Sequence, residues 1–196
     1  MTVQRSAACV EADRTAVELL LQIVAGVYAS PGDALAHDLE SGTFAAAVQE
    51  VADALGVDAP DVVAPTERVL QSSYVDLFVS SASGLSSPPY VGYAVDGELL
   101  GPTAVELGRF LEGHGIGTDP GWTDLPDHVA AVAEAAGLLA RDGHDEAARY
   151  VLVHFMFPWF DRYAGDVASK DVSGFYGPLT RFLHASIREV RRGNRS

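Results

Sequence analysis

Apolar residues recur at three- and four-residue intervals through almost the whole chain, and this periodicity limits the possible folds more than any other feature. Between Ala12 and Tyr28, the residues Val17, Leu20, Leu21, Val24 and Val27 fall on one helical face, and Ser30-Pro31-Gly32 ends the run. A short helix over Asp33 to Leu39 and a longer one over Thr43 to Leu55, closed by Gly56, follow. Val62, Val63, Val69, Leu70, Tyr74 and Leu77 then mark a helix from about Asp61 to Phe78, with a break near Pro65. Gly101-Pro102-Thr103 opens another, carrying Val105, Leu107, Phe110 and Leu111, and Gly113 to Gly117 closes it. Trp122 to His128 leads into a helix reaching about Arg141, with Asp124 as its expected cap and Asp127 in its first turn. A helix from about Asp145 is apolar nearly all round between Tyr150 and Phe160 and is bent or ended by Pro158. The last, about Gly174 to Arg192, buries Phe175, Leu179, Phe182, Leu183, Ile187 and Val190. Only Tyr90 to Leu100 reads as extended, a brief hairpin turning at Asp96-Gly97. With about eight or more helices, no alternation of strand and helix and no repeat, the pattern predicts an all-α helical bundle. It forms a single domain over residues 12–196 behind a flexible tail at 1–11.

Composition narrows the function classes. At 196 residues the chain can bury a core without disulfides or metals, and Cys9 is its one cysteine. No apolar run of about 18 residues is present to span a bilayer, so no stable membrane insertion is expected. No basic segment followed by an apolar stretch resembles a secretory signal, and the expected location is cytoplasmic. The net charge is -14, with Lys170 the only lysine. Such a surface repels nucleic acid and anionic lipid. Either it reflects a salt-loving host, where high ionic strength screens self-repulsion, or it attracts a cationic ligand, and the two are compatible.

The search for chemistry is negative. His37, His114, His128, His144, His154 and His184 are scattered without metal-ligand spacing. No phosphate loop ending in Lys-Ser or Lys-Thr occurs, and no G-x-S-x-G elbow. Gly113, Gly115 and Gly117 read as helix termination. Neither an enzyme nor a cofactor or metal site is expected.

One stretch stands apart. Tyr74-Val75-Asp76-Leu77-Phe78 ends a helix, and Ser80 to Ser87 then runs through small polar residues into Pro88-Pro89-Tyr90. The helix cannot continue there, which leaves Leu77 and Phe78 facing a loop, as core residues or as one wall of a groove.

Taken in order, Tyr74-x-x-Leu77-Phe78, Pro88-Pro89-Tyr90, Pro126-Asp127-His128, His154-x-x-x-Pro158-Trp159 and Phe175-Tyr176 resemble the TorD/DmsD family of molybdoenzyme maturation chaperones. The resemblance runs from about Ala12 to the C-terminus. Where relatives often carry acidic residues after the Asp-His pair, this chain has Val132 and keeps Glu134; where they often carry Trp before the Leu-Phe pair, it has Tyr74.

The resemblance implies a TorD-like all-helical fold. It also implies a cytoplasmic chaperone for the catalytic subunit of a molybdopterin oxidoreductase of the dimethyl sulfoxide reductase type. Such a chaperone binds the twin-arginine leader of that subunit, assists cofactor insertion and delays export, working as a monomer or a helix-swapped homodimer. A receptor for an arginine pair followed by a helical apolar stretch needs an apolar groove and nearby carboxylates. Tyr74, Leu77, Phe78 and Tyr90 are candidates for the groove, Asp76, Asp127 and Glu134 for the carboxylates, and His128 for leader recognition beside Asp127. Plainer roles stay open: Asp127 as a helix-start residue, His128 as a lining of the bundle, Tyr90 as a core plug, Pro158-Trp159 as packing. Adjacent helix positions do not share a face, so Asp127 and His128 do not form a catalytic dyad. The alternatives are a NarJ-like assembly factor for a nitrate-reductase-type subunit without a functional leader, and a small nucleotide hydrolase, for which no phosphate cradle is present.

Overall fold

The computed structural model describes residues 7–80, 86–117, 119 and 121–193, with side chains from residue 14 onward. The expected loose tail falls partly outside this range, and α1 already begins at Ala7 and runs to Tyr28. Next come α2 (Asp33–Ser41), α3 (Thr43–Leu55) and α4 (Glu67–Tyr74), which passes without a break into a π-helical stretch, Val75–Val79. After these lie α5 (Val91–Asp96), α6 (Pro102–Gly113), α7 (Val129–Arg141) and α8 (Asp145–Tyr150). A second π-helical stretch, Val151–Met156, joins α8 to α9 (Phe157–Lys170), and α10 (Tyr176–Gly193) completes the described chain. The fold is all-α, as the periodicity requires; among the described residues the extended pairing is an isolated antiparallel bridge between Tyr90 and His128.

Two local expectations are corrected. Tyr90 to Leu100 is no hairpin: α5 forms there because Tyr90 starts it in an extended conformation and Gly92 N–H is held by the Asp127 carboxylate at 2.9 Å. Asp124 does not cap α7; His128 does, its Nδ1 accepting from Ala130 N–H at 3.2 Å. The helix expected from about Asp61 starts later: residues 57–66 are not helical and α4 begins only at Glu67, beyond Pro65. Pro158 lies in the first turn of α9, where the π-helical stretch Val151–Met156 passes into the α-helix.

The core is built on α1, which packs against α7, α3 and α10, while α10 lies along α9. Leu20, Leu21, Val24, Val27 and Tyr28 are buried on its inner face. Five of the eight buried residues of α7 are alanine, with Val129, Val132 and Leu139 the others, and small side chains let helices approach closely. Aromatic rings fill the other side: Phe78 meets Tyr28 at 5.4 Å, Tyr74 at 5.3 Å and Tyr176 at 5.2 Å, all edge to face. The Tyr28 hydroxyl, deep in this cluster, is satisfied by Thr180 Oγ1 at 2.8 Å.

Beyond the π-helical end of α4, the chain is tied down at Ser87. Its Oγ donates to Asp166 Oδ2 at 2.6 Å, and its carbonyl accepts from the Tyr163 hydroxyl at 3.0 Å. Lys170 Nζ donates to Ser86 O, Ser87 Oγ and Asp166 Oδ2 at 3.3, 3.2 and 2.8 Å. Burial by itself would raise the Asp166 carboxyl, but the bonds from Lys170 and Ser87 hold it below the usual carboxylate range. The single lysine thus clamps the incoming chain onto α9, and Pro88, Pro89 and Tyr90 are delivered in fixed register to α7.

Candidate functional site

The site forms where Tyr90 meets the start of α7. Val91 N–H donates to Asp127 O at 3.0 Å and Val129 N–H to Pro89 O at 2.8 Å, so the segments run side by side for one bridge. Behind the bridge, His128 is buried between two rings, Tyr90 at 5.3 Å and Trp122 at 5.9 Å. Burial pushes the His128 imidazole down, against the opposing pull of Asp124, so the ring is neutral and free to accept the α7 cap. Tyr90 is half-buried; its hydroxyl donates to Asp124 Oδ1 at 2.9 Å, and burial with that bond raises its pKa.

Asp127 is 1% exposed. Its Oδ2 accepts from Gly92 N–H, whereas Oδ1 has no hydrogen-bond partner among the described residues. Space at Gly92 is tight: a Cβ would lie 3.1 Å from Asp127 Oδ2 and 3.1 Å from Ala104 Cβ. Burial raises the Asp127 pKa more than the Gly92 bond lowers it, and Asp124 adds to the rise.

Asp127 also lines a cleft of about 290 Å³ between α6 and α7. Asp127, which lies just ahead of the His128 cap and not in the first turn of α7 as expected, forms one wall with Ala131, Glu134, Ala135 and Leu138 of that helix. On α6, Ala104, Leu107, Gly108 and Leu111 form the other. Alanines and a glycine stand where larger residues would close the gap, so an apolar trough is left. Glu112, Glu134 and Asp119 are exposed at its rim, and Trp122 and Ile116 close one end.

The expected site residues separate into two groups. Asp127 and Glu134 share the cleft, with His128 and Tyr90 packed behind it. Tyr74, Leu77 and Phe78 are elsewhere, buried in the aromatic core; Phe78 is 3% exposed, and the Tyr74 hydroxyl donates to Tyr28 O at 3.0 Å. Burial, with Asp124 adding, pushes the Tyr74 hydroxyl up to about 12. These three offer no free groove wall, because Tyr28 and Tyr176 cover the face that the loop was expected to leave open. Asp76 is exposed on the π-helical stretch and does not line the cleft. The α6 wall, Glu112, Asp119 and Trp122 were not singled out by sequence. Their signal was present in the small residues at Ala104 and Gly108, interleaved with Leu107 and Leu111. Among the described residues no group of three or more His, Cys, Asp or Glu could hold a metal ion, and no helix is long and apolar enough to cross a membrane.

A family model described as nitrate reductase delta subunit matches residues 38–164. The fold resembles a crystal structure from Archaeoglobus fulgidus described as a proposed redox enzyme maturation protein. The TM-score is 0.60 at 18% identity, over 96% of this chain and 98% of that one. At that identity the likeness carries the fold alone. Comparison with curated proteins gives no match.

Proposed function

Because the chain belongs to the nitrate reductase delta subunit family, a family of redox-enzyme maturation chaperones and not of catalysts, we propose that it receives the twin-arginine leader of a molybdopterin oxidoreductase catalytic subunit in the cleft between α6 and α7. The observation that carries this reading is the pairing of an apolar trough with carboxylates. Leu107, Leu111 and Leu138 provide apolar surface for the helical stretch of a leader, and Glu112, Asp119 and Glu134 provide acceptors at the rim for guanidinium groups. Asp127 contributes to the cleft wall, with its Oδ1 buried and without a hydrogen-bond partner among the described residues. By holding the leader, the chaperone delays export while the cofactor is inserted elsewhere in the client. Its own residues contribute binding, shape and charge only.

A second reading has its own support. The matching family model is that of the nitrate reductase delta subunit, which favours a NarJ-like assembly factor whose client carries no functional leader. Titration of the purified protein with the leader peptide of the oxidoreductase subunit encoded beside it, followed by tryptophan fluorescence and calorimetry, separates the two. The leader reading expects saturable binding that weakens on Glu134→Gln and Glu112→Gln. Absence of saturable binding removes it and leaves the assembly-factor reading.

A further inference from the structure

Two exposed features of this chain complement each other. The first is the turn between α5 and α6, where Leu99 and Leu100 are each 54% exposed. Leu100 has φ 57°, the left-handed region that a branched side chain occupies under strain. Asp96 fixes the turn: its Oδ2 accepts from Thr103 N–H at 2.8 Å and its Oδ1 from Thr103 Oγ1 at 2.9 Å. Two leucines are therefore offered to solvent in a set conformation, with Glu98 before them in the chain and Glu106 early in α6 also exposed.

The second is a recess of about 480 Å³ where α10 meets the segment that follows α3. Val57 and Pro60 of that segment, with Pro178, Phe182 and Ala185 of α10, give it an apolar lining. Arg181 and Arg188 line it too and are exposed. Asp58 and Glu189 lie among them, but Arg188 at 3.4 Å and Arg192 at 2.7 Å take up the Glu189 carboxylate. Three arginines then stand against two acids, so the recess is locally positive on a chain of net charge -14.

Both leucines are exposed, so the turn does not sit in the recess of its own chain, and a contact between the two features joins separate copies. Charge selects this pairing over the others. Turn against turn sets Glu98 and Glu106 of two copies face to face, and recess against recess opposes the arginines. Turn into recess places apolar surface on apolar surface and brings the carboxylates to the guanidinium groups. We propose that the Leu99-Leu100 turn of one copy docks in the α10 recess of a second copy, with Glu98 and Glu106 facing Arg181 and Arg188. Each copy carries one turn and one recess, so the contact runs head to tail and closes as a reciprocal dimer or a ring. It exchanges no helix, and it does not rest on the leader reading.

The test is sedimentation velocity of the full chain over a concentration series at about 1 M salt. There the screening length is about 3 Å, so the overall repulsion between acidic copies is removed while charges in contact still act. Wild type is expected to pass from monomer to larger species as concentration rises. The turn variant Leu99→Ser, Leu100→Gly and the recess variant Arg181→Glu, Arg188→Glu are each expected to associate about tenfold or more weakly. Mixed in equal amounts, these two variants form a mixed dimer, because the first keeps an intact recess and the second an intact turn. All four positions are exposed, and circular dichroism checks that each variant is folded. If the turn variant does not fold, Glu98→Arg takes its place. Alone it associates more weakly than wild type, and mixing with the recess variant restores association because opposite charges meet at both contacts. Three results overturn the proposal. Wild type stays monomeric throughout, which leaves these surfaces to some other partner; either variant associates as wild type does, as a helix-exchanged dimer would; or the mixtures associate no better than their components.

Discussion

Asp127 is the residue on which most depends, because its carboxyl is buried with one oxygen bonded and one bare. Its pKa is raised in the folded protein, so the folded state favours the protonated form. Its contribution is fully present below the ordinary carboxylate value and declines as pH rises through the raised one. Asp127→Asn is therefore expected to gain melting temperature relative to wild type progressively as pH rises above the ordinary carboxylate value. A parallel offset at every pH would remove Asp127 as the titrating group. His128 has the opposite sign: its pKa is lowered, so its stabilisation is present above the usual histidine value and lost as pH falls through the depressed one. Replacing His128 by Asn, another capping residue, is expected to flatten the acid limb of a pH–stability profile below about pH 6.5. Phe78→Ala is expected to cost about 3–5 kcal/mol in denaturant unfolding, because it empties the centre of an aromatic cluster. Spacing told which side of α4 is apolar, and the Pro-Asp-His motif pointed to Asp127. Neither could tell that Tyr28 and Tyr176, distant in sequence, close over Leu77 and Phe78, since burial by a remote element leaves no local pattern.

At the scale of elements, the long helices and the short α2 (Asp33–Ser41) were readable, whereas α5 was not. The limits of α3 followed from its periodicity and its closing glycine, whereas α5, at six residues, is too short to show a helical period. Bonds from Gly92 N–H to Asp127 and from Arg162 to Ala94 O hold α5, and the Asp96-Gly97 signal marks its C-terminal cap, with Gly97 at φ 80°, and not a hairpin turn. The α6 face was legible as apolar but was assigned wholly to the core, because periodicity does not reveal that small residues on both helices leave a gap. Ala131→Leu tests that gap. A leucine at this half-buried wall position fills the trough, so leader binding is expected to fall about tenfold or more with the helical circular dichroism unchanged. The clamp on α9 is a separate element. Ser87→Ala removes the hydroxyl that joins Asp166 to Lys170 and is expected to cost about 1–2 kcal/mol, read as a drop of a few degrees in melting temperature.

Across the whole molecule, charge is distributed unevenly. Arg181, Arg188, Arg191 and Arg192 gather on α10, while carboxylates surround the cleft mouth. A cationic leader is then steered toward one side, and its association rate is expected to fall steeply with added salt while its dissociation rate changes little. Stopped-flow measurements at two ionic strengths check this; a salt-independent association rate would leave the field without a role in capture. The same scarcity of cations has a practical outcome at the other end of the protein. The chain carries one ε-amine, and that amine is occupied as a three-way donor between Ser86, Ser87 and Asp166. An acylating reagent therefore finds a single lysine target, and can modify it only in the moments when the clasp parts. Its labelling rate is a clock for how often the segment leading into the site lets go.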